Sequence, residues 1–189
     1  MATIVEKLQQ AALDPKTPVS DLLRRVKYVA AKLGLGNIED WVDHELNGYP
    51  TPPPDYRRVH GRPMGRSPYR GWMPLGGTTE PLSTIPVSQP VSALEALSAS
   101  AATSGTLQIP YPDQICALLD QQNRVRGWNY CLEVPPSEPK RILDRVRTLV
   151  LEWALNLERT GIMGSEEGFD QTDKKKARAA ATIVSHRVV

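Results

Sequence analysis

A single phenylalanine, Phe169, stands in a chain of 189 residues, so leucine, valine, tryptophan and tyrosine must build the apolar interior. There are two cysteines, Cys116 and Cys131, and their separation has none of the CxxC spacing of a zinc site or a redox pair. Reduced, partly buried thiols are expected. No apolar run approaches the ~20 residues that cross a bilayer, and the start, MATIVEKLQQAALD, carries acidic residues without the sustained apolar stretch of a secretory signal. These absences suggest a soluble, cytoplasmic protein with no membrane partner. A formal net charge of +2 is too small to imply a polyanion partner by itself. No GxSxG, GxxxxGK[ST] or dinucleotide-binding glycine pattern occurs, which removes the commonest signatures of hydrolases and nucleotide-binding enzymes. No internal repeat is evident, so a solenoid is not expected.

Proline is abundant instead. Of seventeen prolines, all but Pro15 and Pro18 lie between residues 50 and 90 or between 110 and 139. They divide the chain into a helical front (1–49), a loop and strand middle (50–136) and a long helix (137–161), together one globular domain over 1–168. Residues 169–189 follow as a C-terminal helix or tail.

The front is organised around residues 21–49. Leu22, Leu23, Val26, Val29, Ala30 and Leu33 fall on one face of a 3.6-residue period. Ser20 is placed to cap this helix, and Gly34 and Gly36 to turn the chain at its end. A second helix carries Ile38, Trp41, Val42 and Leu46 on one stripe and stops at Asn47-Gly48. Further on, 56–62 and 71–75 suit strands pushed to sheet edges by Pro63, Pro68 and Pro74. Ser88 is positioned to cap a helix that buries Val91, Leu94 and Leu97, and a helix from Pro112-Asp113 buries Ile115, Leu118 and Leu119. The clearest strand signal is 127–134, where Trp128, Tyr130, Leu132 and Val134 alternate with Asn129, Cys131 and Glu133. Ser137 then caps the longest helix, which ends at Gly161-Ile162. The expected fold is α+β and predominantly helical, with N-terminal and C-terminal helices packed on a small antiparallel sheet of short strands.

Three groups of residues bear on function. Arg57, Arg58, Arg62, Arg66 and Arg70 lie in a stretch without acidic residues, interleaved with Tyr56, His60, Tyr69 and Trp72. Guanidinium forks grip phosphate oxygens and aromatic rings stack on bases, so Arg57, Arg58, Arg62, Arg66, Arg70, Tyr69 and Trp72 form a candidate anion or nucleic-acid patch. The competing explanation is a solvated, charged edge that keeps a small sheet from aggregating. Asp40, Asp43, His44 and Glu45 are the acidic cluster that contains a histidine, a thin ligand set that more commonly marks the outer face of an amphipathic helix. Lys174, Lys175, Lys176 and Arg178 suit an anionic partner or simply a solvated face. Trp41, Trp128 and Trp153 exceed what a small core requires, which suggests self-association. No metal ligand set, cofactor fingerprint or catalytic constellation is recognisable.

Taken together, LLRRVKYVAAKLGL, EDWVDHELNGY, YRRVHG, the Gly71-Trp72-x-Pro74 element, and VRTLVLEWALNLERTGIMG followed by FDQTDK resemble the AbiTii domain family. Trp41 to Tyr49 and Glu152 to Ile162 are the most specific segments of that resemblance, and residues 76–126 contribute little to it. The resemblance implies a part in bacterial abortive infection, in which an infected cell arrests and phage production is limited. It supplies no catalytic residues. The leading expectation is therefore a non-enzymatic sensor, adaptor or self-assembling module whose partner is another defence protein or a phage component. The alternative is a nucleic-acid or nucleotide binder, even a nuclease, that uses the 56–72 arginine and aromatic block.

Overall fold

The computed structural model describes residues 2–76, 79–165 and 168–188, with backbone alone over 101–104 and 180–188. Among the described residues the elements run α1 (Ile4–Leu13), α2 (Val19–Leu33), α3 (Gly36–Asn47), β1 (Arg58–His60), β2 (Arg62–Ser67), β3 (Gly71–Pro74), β4 (Thr84–Pro86), α4 (Val91–Ser104), β5 (Leu107–Pro110), α5 (Asp113–Asn123), β6 (Asn129–Val134), α6 (Ser137–Arg159) and α7 (Gln171–Val188). The fold is α+β and predominantly helical. A four-stranded antiparallel sheet has the order β3-β2-β6-β5, and β1 pairs with β4 in a separate two-stranded ribbon.

The helical front follows its apolar spacing. All six stripe residues of α2 are buried, and Gly34 ends the helix in the left-handed conformation, with φ of 71°, so that α3 begins two residues later. Capping at the other end departs from expectation. Alpha-2 begins at Val19, one residue before Ser20, and the Glu95 carboxylate of α4 accepts the backbone N–H groups of Val19 and Ser20 at 2.6 and 3.3 Å. A charged cap from a distant helix replaces the local hydroxyl, and Ser20 is buried within the first turn. Ser88 and Ser137 likewise do not cap: α6 starts after Pro136 without a side-chain cap, and the Ser88 carbonyl accepts the Tyr49 N–H at 2.9 Å.

Alpha-6 lies across α1 and α4, and Ile142, Val146, Leu149, Val150, Trp153 and Leu157 are all buried. Its end matches the glycine motif: Gly161 has φ of 72°, the Gly161 and Ile162 N–H groups bond to the Glu158 and Leu157 carbonyls at 2.8 and 2.9 Å, and Ile162 is buried. Arg147 fastens the same helix to the end of α1 by donating to the carbonyls of Ala11, Ala12, Asp14 and Thr17. Asp170 caps α7 through the Asp173 N–H, at 2.7 Å, and Ala177 of that helix joins the core cluster.

The middle of the chain differs most from its sequence pattern. Residues 56–62 are not one strand but a short 3₁₀ turn (Asp55–Arg57) followed by β1, a break at Gly61 and the start of β2. Beta-2 is an interior strand despite Pro63. The Pro63 carbonyl accepts the Leu75 N–H at 3.0 Å, and a residue's N–H and C=O point to the same side of a strand. The donor that proline lacks thus faces the end of the β3 ladder, beyond Pro74, and the pairing with β6 is intact. Leu118 is 60% exposed rather than buried, and Leu119 carries the inward face of α5.

Strand register assigns the two faces of the sheet. Tyr130, Leu132 and Val134 point into the core with the Trp128 ring, which lies against Gly65. The opposite face carries three rows of paired residues: Arg62, Glu133 and Gln108; Pro74, Met64, Cys131 and Pro110; and Trp72, Arg66 and Asn129. Met64 and Cys131 are buried at its centre, outside the main core cluster, and the arginines around them are exposed.

Candidate functional site

The two most distinctive parts of the sequence have opposite fates. The segment Trp41–Tyr49, with Tyr56 and Arg57, closes into a buried polar lock. Glu45 leaves the apolar side of α3 and meets Arg57, which the 3₁₀ turn presents from the next segment; both side chains are 0% exposed. The pair is bidentate, with Nε to Oε1 at 3.1 Å and Nη2 to Oε2 at 2.6 Å. The remaining guanidinium nitrogen, Nη1, donates to the carbonyls of Val87 and Gln89 at 3.0 and 2.7 Å. Glu45 Oε1 also accepts the hydroxyls of Tyr49 and Tyr56 at 2.7 and 2.5 Å, and Trp41 Nε1 donates to the Tyr56 hydroxyl at 3.0 Å. The Tyr49 ring lies under the guanidinium, 5.0 Å from its carbon. Gly48 permits this geometry: its φ is 95°, and a Cβ there would sit 2.8 Å from the Ser88 carbonyl oxygen.

The electrostatics of the lock oppose proton transfer near neutral pH. Burial, then the adjoining Glu45 charge, raise the pKa of both Tyr49 and Tyr56 far above the usual phenol range. Burial alone would lower that of Arg57, but the hydrogen bonds and charge of Glu45 outweigh it and hold the guanidinium more firmly protonated. Arg57, read from the sequence as part of an anion patch, is therefore withdrawn from solvent and satisfied internally. Glu45 is equally withdrawn from any metal set, and Asp43 is ion-paired with Lys27. A shallow cleft of about 460 Å³ opens beside the lock, bordered by His44, Asn47, Tyr49 and Ser88.

Both thiols are poor nucleophiles. Burial, with Glu133 nearby, pushes the Cys131 pKa up to about 11, and burial followed by the charges of Asp113 and Asp120 raises that of Cys116.

The arginine block is dispersed by the fold, and part of it is brought together. Arg58 sits in the β1–β4 ribbon and is paired with Asp55 at 3.1 Å. Arg62 and Arg66 share the outer face of the four-stranded sheet, on alternate sites of β2. Trp72 stands directly across from Arg66, and Tyr69 and Arg70 occupy the β2–β3 hairpin tip, with Tyr69 96% exposed. Arg62, Arg66 and Arg70 have no ion-pair or hydrogen-bond partner among the described residues. Trp41, Trp128 and Trp153 pack in or against the core, whereas Trp72 lies outside it. Sequence reasoning overlooked Asn129, which register sets beside Arg66, and Arg126, exposed three residues earlier. The signal for Asn129 was the start of the 127–134 strand, and only the pairing of that strand with β2 places it.

The sequence model of the AbiTii family matches residues 3–182. No curated protein and no solved structure matches the chain.

Proposed function

The chain belongs to the AbiTii family, and from that premise we propose that it serves abortive-infection defence against phage as a non-enzymatic recognition module. It works as a sensor, adaptor or self-assembling unit, and its interacting surface is the outer face of the four-stranded sheet, where Arg62 and Arg66 are exposed. One observation carries the reading: the family-specific Trp41–Tyr49 segment is occupied by an internal lock, and the sheet face holds unpaired arginines and a tryptophan outside the core. Side chains engaged on all sides, with pKa values driven away from neutrality, suit a scaffold better than an acid–base centre. The partner is a phage component or another defence protein, or a second copy of the chain.

Expression in a phage-susceptible bacterium tests this. The intact chain should lower plaque yield while infected cells stop growing. Arg66→Ala, which alters an exposed side chain, and Trp72→Ala, which alters a half-buried one outside the core cluster, should lose that protection at unchanged protein level. Full protection by both variants would remove the sheet face from the function.

A further inference from the structure

We propose that the outer face of the sheet binds single-stranded nucleic acid, DNA and RNA alike. The inference rests on the reading of that face as the interacting surface and names the ligand it takes.

Four features point to this ligand. Trp72 stands beside Arg66 at the ~5 Å spacing of directly opposed residues in an antiparallel pair. It is half-buried on a sheet face, outside the core cluster, where the part of its ring left open can stack on a base. Arg62 and Arg66 lie four residues apart on β2, roughly 13 Å along the strand, and supply two cationic points in line. At the Arg66 end, Tyr69 and Arg70 on the hairpin tip and Arg126 three residues before Asn129 are exposed. Asn129 next to Arg66, and Gln108 beyond Glu133 in the Arg62 row, offer amides that both donate and accept, as base edges require.

Charge complementarity selects a polyanion. The four strands contribute one acidic side chain, Glu133, against Arg62 and Arg66, and the adjoining turns add Arg70 and Arg126. Stacking needs unpaired bases, because a duplex hides their planes inside its own stack; the face therefore favours single strands. Base stacking and phosphate contacts use groups that DNA and RNA share, so both are expected to bind.

Fluorescence anisotropy with labelled oligothymidine and oligouridine of about 12 nucleotides, within the ~4–16 span of sheet-based sites, tests the proposal. At about 50 mM salt both strands should bind, and a duplex of equal length should bind more weakly. Trp72→Ala should weaken binding by about tenfold, as expected for loss of one stacked base, and Trp72→Phe should restore most of it. Arg66→Ala should reduce the slope of log affinity against log salt by about 0.7, the value for one phosphate contact to a single strand. Arg58→Ala, in the other ribbon, should leave binding unchanged. No binding at low salt overturns the proposal, as does duplex preference or equal effects of Arg58→Ala and Arg66→Ala. Plaque assays on the same variants separate the two readings. If Trp72→Ala abolishes protection while the intact chain binds no oligonucleotide, this ligand is wrong and the recognition role stands. If oligonucleotides bind as described but the chain gives no protection, the defence role falls and the site remains.

Discussion

Glu45 and Arg57 illustrate how a single pair can define a molecule from inside. Taking two charges out of water costs several kcal/mol per ion, and only complete satisfaction of the carboxylate and guanidinium offsets it. Here it is complete: the carboxylate accepts from Arg57, Tyr49 and Tyr56, and the guanidinium donates to Glu45, Val87 and Gln89. Removing one member strands the other. Glu45→Ala should therefore lower unfolding free energy by about 3–5 kcal/mol. Equilibrium denaturation of Glu45→Ala, Arg57→Ala and the double variant checks this, and the double should be little worse than either single. At this scale the sequence was misleading for a physical reason. Arg57 and Arg58 are adjacent and chemically identical, and nothing local separates a buried ion pair from an exposed cation when the partner lies 12 residues away.

At the scale of elements, legibility followed range. The stripes of α2, α3 and α6, the glycine end of α6 and the β6 strand were readable because periodicity and capping are written within a few residues. The caps from Glu95, the interior position of β2 and the shared face of Arg66, Trp72 and Asn129 were not readable, because each depends on which distant segment lies alongside. Gly48 sits at the boundary between these regimes. A stop for α3 is predictable there, but the close approach of Ser88 is not. Gly48→Ala should cost about 1–3 kcal/mol from its extended, positive-φ backbone, with the Ser88 contact adding to it. Gly36→Ala, at the first position of α3 with nothing near its added methyl, should be neutral or stabilise by about 0.5 kcal/mol. Thermal melts of the two variants should thus move in different directions or by clearly different amounts.

For the whole molecule, four of the six tyrosines act together against alkali. Burial raises the phenol pKa of Tyr49 and Tyr56 far beyond the usual range and brings those of Tyr111 and Tyr130 to about 12. Each is raised above its unfolded value near 10, so the native state holds protons that the unfolded chain releases. Stability is thus fully present below about pH 10 and falls as the pH climbs toward 12 and beyond. Denaturant midpoints measured across that interval should decline, and phenolate absorbance should rise in step with the loss of helical signal. Helices and sheet share one core cluster, from Val5 in α1 to Ala177 in α7, so this loss should be cooperative across the chain.

The inward placement of the lock also bears on how such a chain meets an adversary that changes. On the reading proposed above, contact with what is recognised falls on the sheet face, where Arg62 and Arg66 are exposed and can be replaced at small cost to folding. Glu45 and Arg57 are closed off from solvent, and Trp41, Tyr49 and Tyr56 are tied to them or to one another by hydrogen bonds. Related chains should accordingly keep these five residues whatever they recognise, so that lineage is recorded in the interior.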